Sequence, residues 1–210
     1  MIIKKILITG LLFSLLPVAM SEESVSVETK NRIDNVPYNE RNVSFTQAGS
    51  NEFEQMITVL SQSDPDYKQA FYFANASAKL NFCQAYGYLG TFYMHGLGTK
   101  ADHNEAYHAF INGVKCSDIQ SIYGMSTLYA SGFKNQQGRG GEEAVIEYLQ
   151  KACDLEYAPA QYDLALILLK KNPKDKKGLE LLKLAANDRY GPALDMYYKQ
   201  YGAEYKEDSE

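Results

Sequence analysis

The sequence contains no tryptophan and only three cysteines among its 210 residues. Cys83, Cys116 and Cys153 lie far apart, and no two of them have the C-x-x-C spacing of a zinc or redox site. Three cysteines cannot all pair within one chain. The residues therefore leave two alternatives open, which are buried thiols throughout or one disulfide with one free thiol.

Basic residues are also scarce. The chain has 21 Lys and Arg against 26 Asp and Glu, which gives a net charge of −5 at pH 7. The last residues are especially acidic, with Glu204, Glu207, Asp208 and Glu210. A chain of this charge has no basic footprint for nucleic acid or for an anionic membrane surface, whereas a basic protein partner is compatible with it. We therefore expect no nucleic-acid partner.

Long apolar runs are absent after the first 21 residues. Ile6–Val18 is apolar over 13 residues, broken only by Thr9, Gly10, Ser14 and Pro17. This length is short of the roughly 20 residues needed to cross a bilayer. Two lysines precede this run and Ala-Met-Ser follows it, which is typical of a cleaved signal peptide at residues 1–21, although an uncleaved anchor is the alternative. We expect an exported protein, periplasmic or secreted, with no transmembrane span and a mature charge of −7 after the loss of two lysines. Residues 22–50 are polar and predict an extended or disordered leader.

A pattern with a period near 36 residues fills the chain from residue 51 to residue 205. Small residues that mark the second helix of each pair recur 36, 38 and 34 residues apart, at Ala70, Ala106, Ala144 and Gly178. Self-similarity at this period predicts stacked helix pairs. The predicted repeat core consists of Ala85, Leu89, Gly90, Tyr93, Gly96, Ala106, Met125, Tyr129, Ala144, Ala160, Leu164 and Ala193.

Local signals predict where these helices begin and end. Asp66, Asp102 and Asp175 precede second helices, where a carboxylate can accept hydrogen bonds from free backbone N–H groups. Gly96, Gly98 and Gly132 follow first helices, where a positive φ is needed. The sequence therefore predicts both boundaries of several helices.

The segment Ala85–Lys115 resembles a Sel1-like repeat, a relative of the tetratricopeptide repeat. It matches the family pattern at Ala85, Leu89, Gly90, Tyr93, Gly96, Gly98, Asp102 and Ala106. Copies beginning at Ser121 and Ala160 match less completely, and a terminal half-repeat begins at Ala193. The prediction is an all-α, right-handed α/α solenoid of about four stacked antiparallel helix pairs over residues 51–205, with an acidic tail at 206–210. We expect it to be monomeric when free.

One branch of this family carries paired cysteines eight residues apart, a spacing that this chain lacks. Cys116 and Cys153 fall near the ends of second helices in adjacent repeats. Packed helices lie about 8–10 Å apart, whereas a disulfide needs Cα atoms within about 7 Å. We therefore expect no bridge between these two residues.

The resemblance implies that the first helices line a concave, partner-binding face. Tyr123 and Tyr162 each precede a core residue by two positions, on the face that lines the groove in this family. Tyrosine is favoured at binding sites because it offers a large area at low entropic cost, although these rings could simply fill a narrow superhelix. The full predicted binding set is Gln84, Thr91, Met94, His95, Gln120, Tyr123, Thr127, Tyr162, Leu166 and Lys170.

The sequence predicts no catalytic residue, metal or cofactor. His95, His103 and His108 fall at a helix end, in a loop and within the next helix, so we expect no shared metal site. No G-x-S-x-G is present, and the S-x-x-K of Ser131–Lys134 has no S-D-N or K-T-G beside it. We interpret that match as chance.

Three functional hypotheses follow. The first is a non-enzymatic protein-binding adaptor or regulator in the bacterial periplasm or cell envelope. The second is a periplasmic immunity protein that neutralises a toxin such as a phospholipase-type effector, a role in which exported Sel1-like proteins are found. The third, which the missing cysteine pairs disfavour, is a β-lactam-binding or hydrolysing enzyme of the cysteine-rich branch.

Overall fold

The structure is a computed structural model that describes residues 48–201, apart from the side chains of the last two. The predicted signal peptide, nearly all of the predicted leader and the acidic tail at 206–210 lie outside the described residues. These three assignments therefore stay predictions.

The described residues form nine helices and no β-strand beyond one isolated antiparallel bridge between Lys134 and Gly140. This confirms the predicted all-α fold. The helices are α1 (Ser50–Leu60), α2 (Tyr67–Lys79), α3 (Cys83–His95), α4 (His103–Lys115), α5 (Ile119–Ala130), α6 (Gly141–Cys153), α7 (Ala158–Lys171), α8 (Lys176–Asn187) and α9 (Gly191–Tyr201).

The helices belong to two compact units, and each unit is a stack of helix pairs. In the described part of unit one, residues 48–118, α1 packs on α2, α3 packs on α4, and α2 joins the two pairs by contacting α3. In unit two, residues 119–201, α5 packs on α6, α7 packs on α8, and α6 contacts α7. The last helix, α9, packs against α8 as the predicted half-repeat.

The helix boundaries follow the predicted capping residues. The carboxylates of Asp66 and Asp102 each accept two backbone N–H groups at 2.9 and 3.1 Å, and Asp175 accepts one at 2.8 Å. Gly96 ends α3 with φ 70°, and Gly132 follows α5 with φ 96°. Both values lie in the left-handed region that favours glycine. The predicted caps and helix ends are therefore confirmed.

The small residues of the repeat mark places where helices approach closely. A Cβ added to Gly90 would lie 2.5 Å from the Phe110 ring of α4, well inside van der Waals contact. Of the predicted core, ten residues are buried, whereas Tyr93 and Gly96 are half-buried. The repeat pattern therefore arises because the two helices of a pair pack closely against each other.

The three cysteines adopt the second of the two alternatives. Cys83 and Cys116 form a disulfide with a Cα–Cα distance of 6.2 Å, and Cys153 is free and buried. The bond joins the first residue of α3 to the residue that follows α4. Burial raises the pKa of the Cys153 thiol to about 12, so this sulfur is not a nucleophile near neutral pH.

This arrangement predicts how many cysteines react with iodoacetamide in the oxidised protein. We expect none in the folded protein, one after unfolding without reductant, and three after unfolding with reductant. Intact mass spectrometry counts the added groups. Three labels on the unfolded protein without reductant would contradict the disulfide, and a label on the folded protein would contradict the burial of Cys153.

Candidate functional site

Four of the ten predicted binding residues are buried in the structure: Thr91, Met94, Tyr123 and Thr127. Their side chains cannot reach a partner, so the prediction was wrong for these four. In α5 every position from Ser121 to Tyr129 is buried. The helix therefore has no exposed face over those positions on which Tyr123 or Thr127 could be presented.

Tyr123 instead belongs to a buried contact between α5 and α7. Its hydroxyl donates to Asp163 Oδ2 at 2.6 Å. Its ring packs edge-to-face on Tyr157, with 5.2 Å between the ring centroids. The residue therefore connects two first helices of unit two from inside.

Asp163 is a site residue that was not among the ten predicted from the sequence. Its side chain lies on α7 and only 2% of the residue is exposed. Burial raises the pKa of this carboxyl to about 8, and the hydrogen bond from Tyr123 only partly opposes that rise. The available signal was a single acidic residue placed directly before the apolar run Leu164–Leu169 of the same helix.

Three further tyrosines gather around this buried pair and form the tyrosine rim, defined as Tyr157, Tyr162 and Tyr190. All three are half-buried. The rings of Tyr162 and Tyr190 meet edge-to-face at 5.6 Å, and the Tyr157 hydroxyl donates to Gln120 Oε1 at 3.4 Å. Burial raises the pKa of both Tyr162 and Tyr190, and the nearby Asp163 adds to the rise. The hydroxyls of Tyr162 and Tyr190 therefore stay neutral near pH 7, and each ring of the rim packs against another side chain.

One end of the rim continues along α7 as the α7 stripe, defined as Tyr162, Leu166 and Lys170. These residues are spaced by four, so they lie one above the other on a single helix face. Tyr162 and Leu166 are half-buried and Lys170 is exposed. Three of the ten predicted residues therefore form one continuous accessible stripe.

The three remaining predicted residues, Gln120, Gln84 and His95, lie outside the α7 stripe. Gln120 is half-buried and contacts the rim through Tyr157. Gln84 is exposed and His95 is half-buried, and both lie on α3 in unit one. The surface with the most predicted residues is therefore on unit two.

The histidines do not form a metal centre in the described residues. His103 and His108 are exposed, and no group of three or more His, Cys, Asp or Glu side chains is placed to hold an ion between residues 48 and 201. His95 Nε2 is buried without a hydrogen-bond partner there, and burial, followed by the charge of His103, lowers its pKa. This favours a neutral imidazole.

The serine of the S-x-x-K match makes only a local contact. The Ser131 hydroxyl donates to the Leu128 carbonyl at 2.7 Å within the last turn of α5. Among the helices of residues 48–201, none has the length and apolar character to cross a membrane.

Comparison with known proteins identifies the fold. No family model and no curated protein matches the chain. Among solved structures, a Sel1 repeat protein from Oxalobacter formigenes aligns with a TM-score of 0.57 and 21% identity over 77% of this chain. The chain has the fold of a Sel1 repeat protein.

An immunity protein from Pseudomonas aeruginosa also aligns with this chain, with a TM-score of 0.52 and 18% identity over 81% of this chain. The chain spans 64% of the Oxalobacter protein and 63% of the Pseudomonas protein, which is just under two thirds of each. At these identities the likeness concerns the fold alone, which in this chain is a series of stacked helix pairs.

Proposed function

We propose that this Sel1-like protein is a non-enzymatic protein-binding module, and that the tyrosine rim and the α7 stripe form its contact surface. The observation that carries the proposal is the set of half-buried tyrosine rings held over the buried Tyr123–Asp163 pair. Rings that are already fixed lose little conformational freedom when a partner binds, so more of the contact energy is retained as affinity.

The α7 stripe adds apolar area and a charged edge to the tyrosine rings. Leu166 offers apolar area beside the rings, and Lys170 places a charge at the edge. Protein interfaces usually have an apolar centre surrounded by polar and charged residues. We propose that the module acts as an adaptor or regulator in the bacterial periplasm or cell envelope, a location that rests on the predicted signal peptide.

A second candidate function is that of an immunity protein, which binds and neutralises one toxin. The structural likeness to the immunity protein from Pseudomonas aeruginosa favours it. This role requires a single partner and very tight binding, whereas an adaptor would bind several envelope components. The number of partners therefore separates the two candidates.

The test has two steps. The mature chain, from Glu22 onward, is used to capture partners from bacterial envelope extract, and the affinity of each identified partner is then measured by isothermal titration calorimetry. We expect Tyr162→Ala with Leu166→Ala to weaken binding at least about tenfold, because central interface side chains typically contribute 1 kcal/mol or more each. Helical circular dichroism should be unchanged.

A matched double variant controls for the loss of exposed apolar area. Tyr72→Ala with Leu155→Ala makes the same two chemical changes at residues that are 66% and 46% exposed, on α2 and after α6. Its affinity should stay within about twofold of the wild type. Equal affinity of both double variants and the wild type would show that partners bind elsewhere.

A further inference from the structure

A strongly basic segment joins α7 to α8, although the chain as a whole is acidic. Residues 170–177 contain five lysines and one acidic residue, Asp175. All five lysines are exposed. We call this segment the lysine turn, and its local charge is opposite to that of the whole protein.

The charges of the lysine turn are only partly neutralised within the described residues. Lys171 forms an ion pair with Glu142, and Lys177 donates to the side-chain oxygen of Gln150. Lys170, Lys174 and Lys176 form no ion pair with any carboxylate between residues 48 and 201.

Asp175 contributes one negative charge to the turn, and its carboxylate also has a structural role. Its carboxylate accepts the Gly178 N–H and caps α8. The carboxylate is therefore held at the helix start and forms no ion pair with a lysine of the turn within residues 48–201. Lys170, Lys174 and Lys176 are thus three exposed ammonium groups within seven residues, and none of them pairs with a carboxylate of the described range.

The lysine turn is continuous with the proposed binding surface. Lys170 is both the last residue of the α7 stripe and the first residue of the lysine turn. A polypeptide that lies along α7 over Tyr162 and Leu166 would therefore reach the lysine turn next. The composition of the turn favours a protein partner over a bilayer. Between residues 170 and 177 there is no aromatic, leucine, isoleucine or valine side chain that could insert among lipids.

We propose that the lysine turn binds an acidic segment of the protein partner, next to the part of that partner that covers the α7 stripe. This inference rests on the proposed function and adds the partner's chemistry to it. Carboxylates of the partner would approach the ammonium groups of Lys170, Lys174 and Lys176. The partner would thus need a run of Asp or Glu beside an apolar or aromatic segment.

The test uses a fluorescein-labelled peptide that contains six consecutive glutamates, and a peptide of the same length with six glutamines. Anisotropy is measured with the mature chain in low salt. We expect saturable binding of the glutamate peptide alone, and a loss of about tenfold or more in affinity for Lys170→Gln with Lys174→Gln and Lys176→Gln. Binding should weaken as salt rises, since exposed charges are screened.

A second triple variant is the matched control. Lys68→Gln, Lys79→Gln and Lys100→Gln remove the same charge from exposed positions in unit one. Affinity should then change by less than about twofold if binding is local to the lysine turn. Equal losses in both triple variants, or no binding of the glutamate peptide, would overturn the inference.

Vesicles that contain 30% phosphatidylglycerol provide the remaining arm of the test. Binding to vesicles that depends on the three lysines, without binding to the glutamate peptide, would make the turn a membrane contact and refute an acidic protein segment. The proposed function is judged separately by Tyr162→Ala with Leu166→Ala. A partner that is sensitive to that double variant but not to the lysine variants would refute only the present inference.

Discussion

Replacing Leu89 by Ala will lower the free energy of unfolding by about 2–5 kcal/mol, the range for a buried leucine whose site collapses incompletely. Leu89 is 7% exposed and lies in the core of unit one with Met56, Ala85 and Phe92. Deleting three carbon atoms leaves a cavity there because both helix pairs of the unit border the site. Urea unfolding followed by circular dichroism measures the loss.

The matched control is Leu80→Ala in the same unit. Leu80 follows α2 and is 40% exposed, so removing the same atoms should cost less than about 1 kcal/mol. If the two variants unfold at the same urea concentration, Leu89 is not in a tightly packed core. That result would also contradict the proposed alignment of the repeats, which places Leu89 in the core.

Raising the pH from 5 to 8 will destabilise the wild-type protein through Asp163. In the folded chain the pKa of this carboxyl is about 8, whereas an unfolded aspartate has a pKa of about 3.9. Between these values the folded state binds more protons than the unfolded state, so stability falls as pH rises. The slope contributed by Asp163 approaches about 1.4 kcal/mol per pH unit inside this window.

Asp163→Asn should flatten this dependence, because an amide cannot ionise. The measured quantity is the difference in unfolding free energy between variant and wild type at each pH, which should move in favour of the variant as pH rises. The difference also cancels the opposite contribution of His95, whose lowered pKa makes the folded state more stable as pH rises through the acidic range.

Two other variants test the assignment to Asp163. Asp195→Asn removes an exposed carboxyl of the same unit and is the matched control for the loss of one carboxylate. Tyr123→Phe removes the hydrogen bond that favours the ionised form, so its stability should still fall as pH rises, and its loss relative to the wild type should be largest at high pH. A wild-type curve parallel to that of Asp163→Asn would contradict a buried carboxyl with a raised pKa.

The fold could be predicted from sequence because its signals are local. Asp66, Asp102 and Asp175 each act within three residues of their position, and Gly96 ends α3 through its own backbone geometry. The repeat period then placed the small residues that face a neighbour, such as Gly90. None of these steps needs a contact that is distant in sequence.

The candidate site could be predicted only in part, because its key contact is not local. Tyr123 and Asp163 are 40 residues apart and meet only after α5 and α7 are stacked. First helices that are covered on several sides show little amphipathic contrast, so helix phase does not separate a groove position from a core position. Tyr162 lies on the α7 stripe because α7 leaves one face accessible.

The lysine turn was hidden by averaging over the whole chain. A net charge of −5 excludes a broadly basic surface, but it says nothing about eight consecutive residues with five lysines. Fields from exposed charges decay within about 10 Å at ordinary ionic strength. A local patch can therefore be strongly positive on an acidic protein.

The disulfide between Cys83 and Cys116 would hold the chain together after a single proteolytic cut inside the loop that it closes. It encloses α3, α4 and the connecting segment between them in one covalent ring. A single cut between Gly96 and Asp102 would open the ring but leave both helices attached through the two sulfurs. The nicked protein would keep its full mass apart from one added water, and it would separate into two fragments only after reduction.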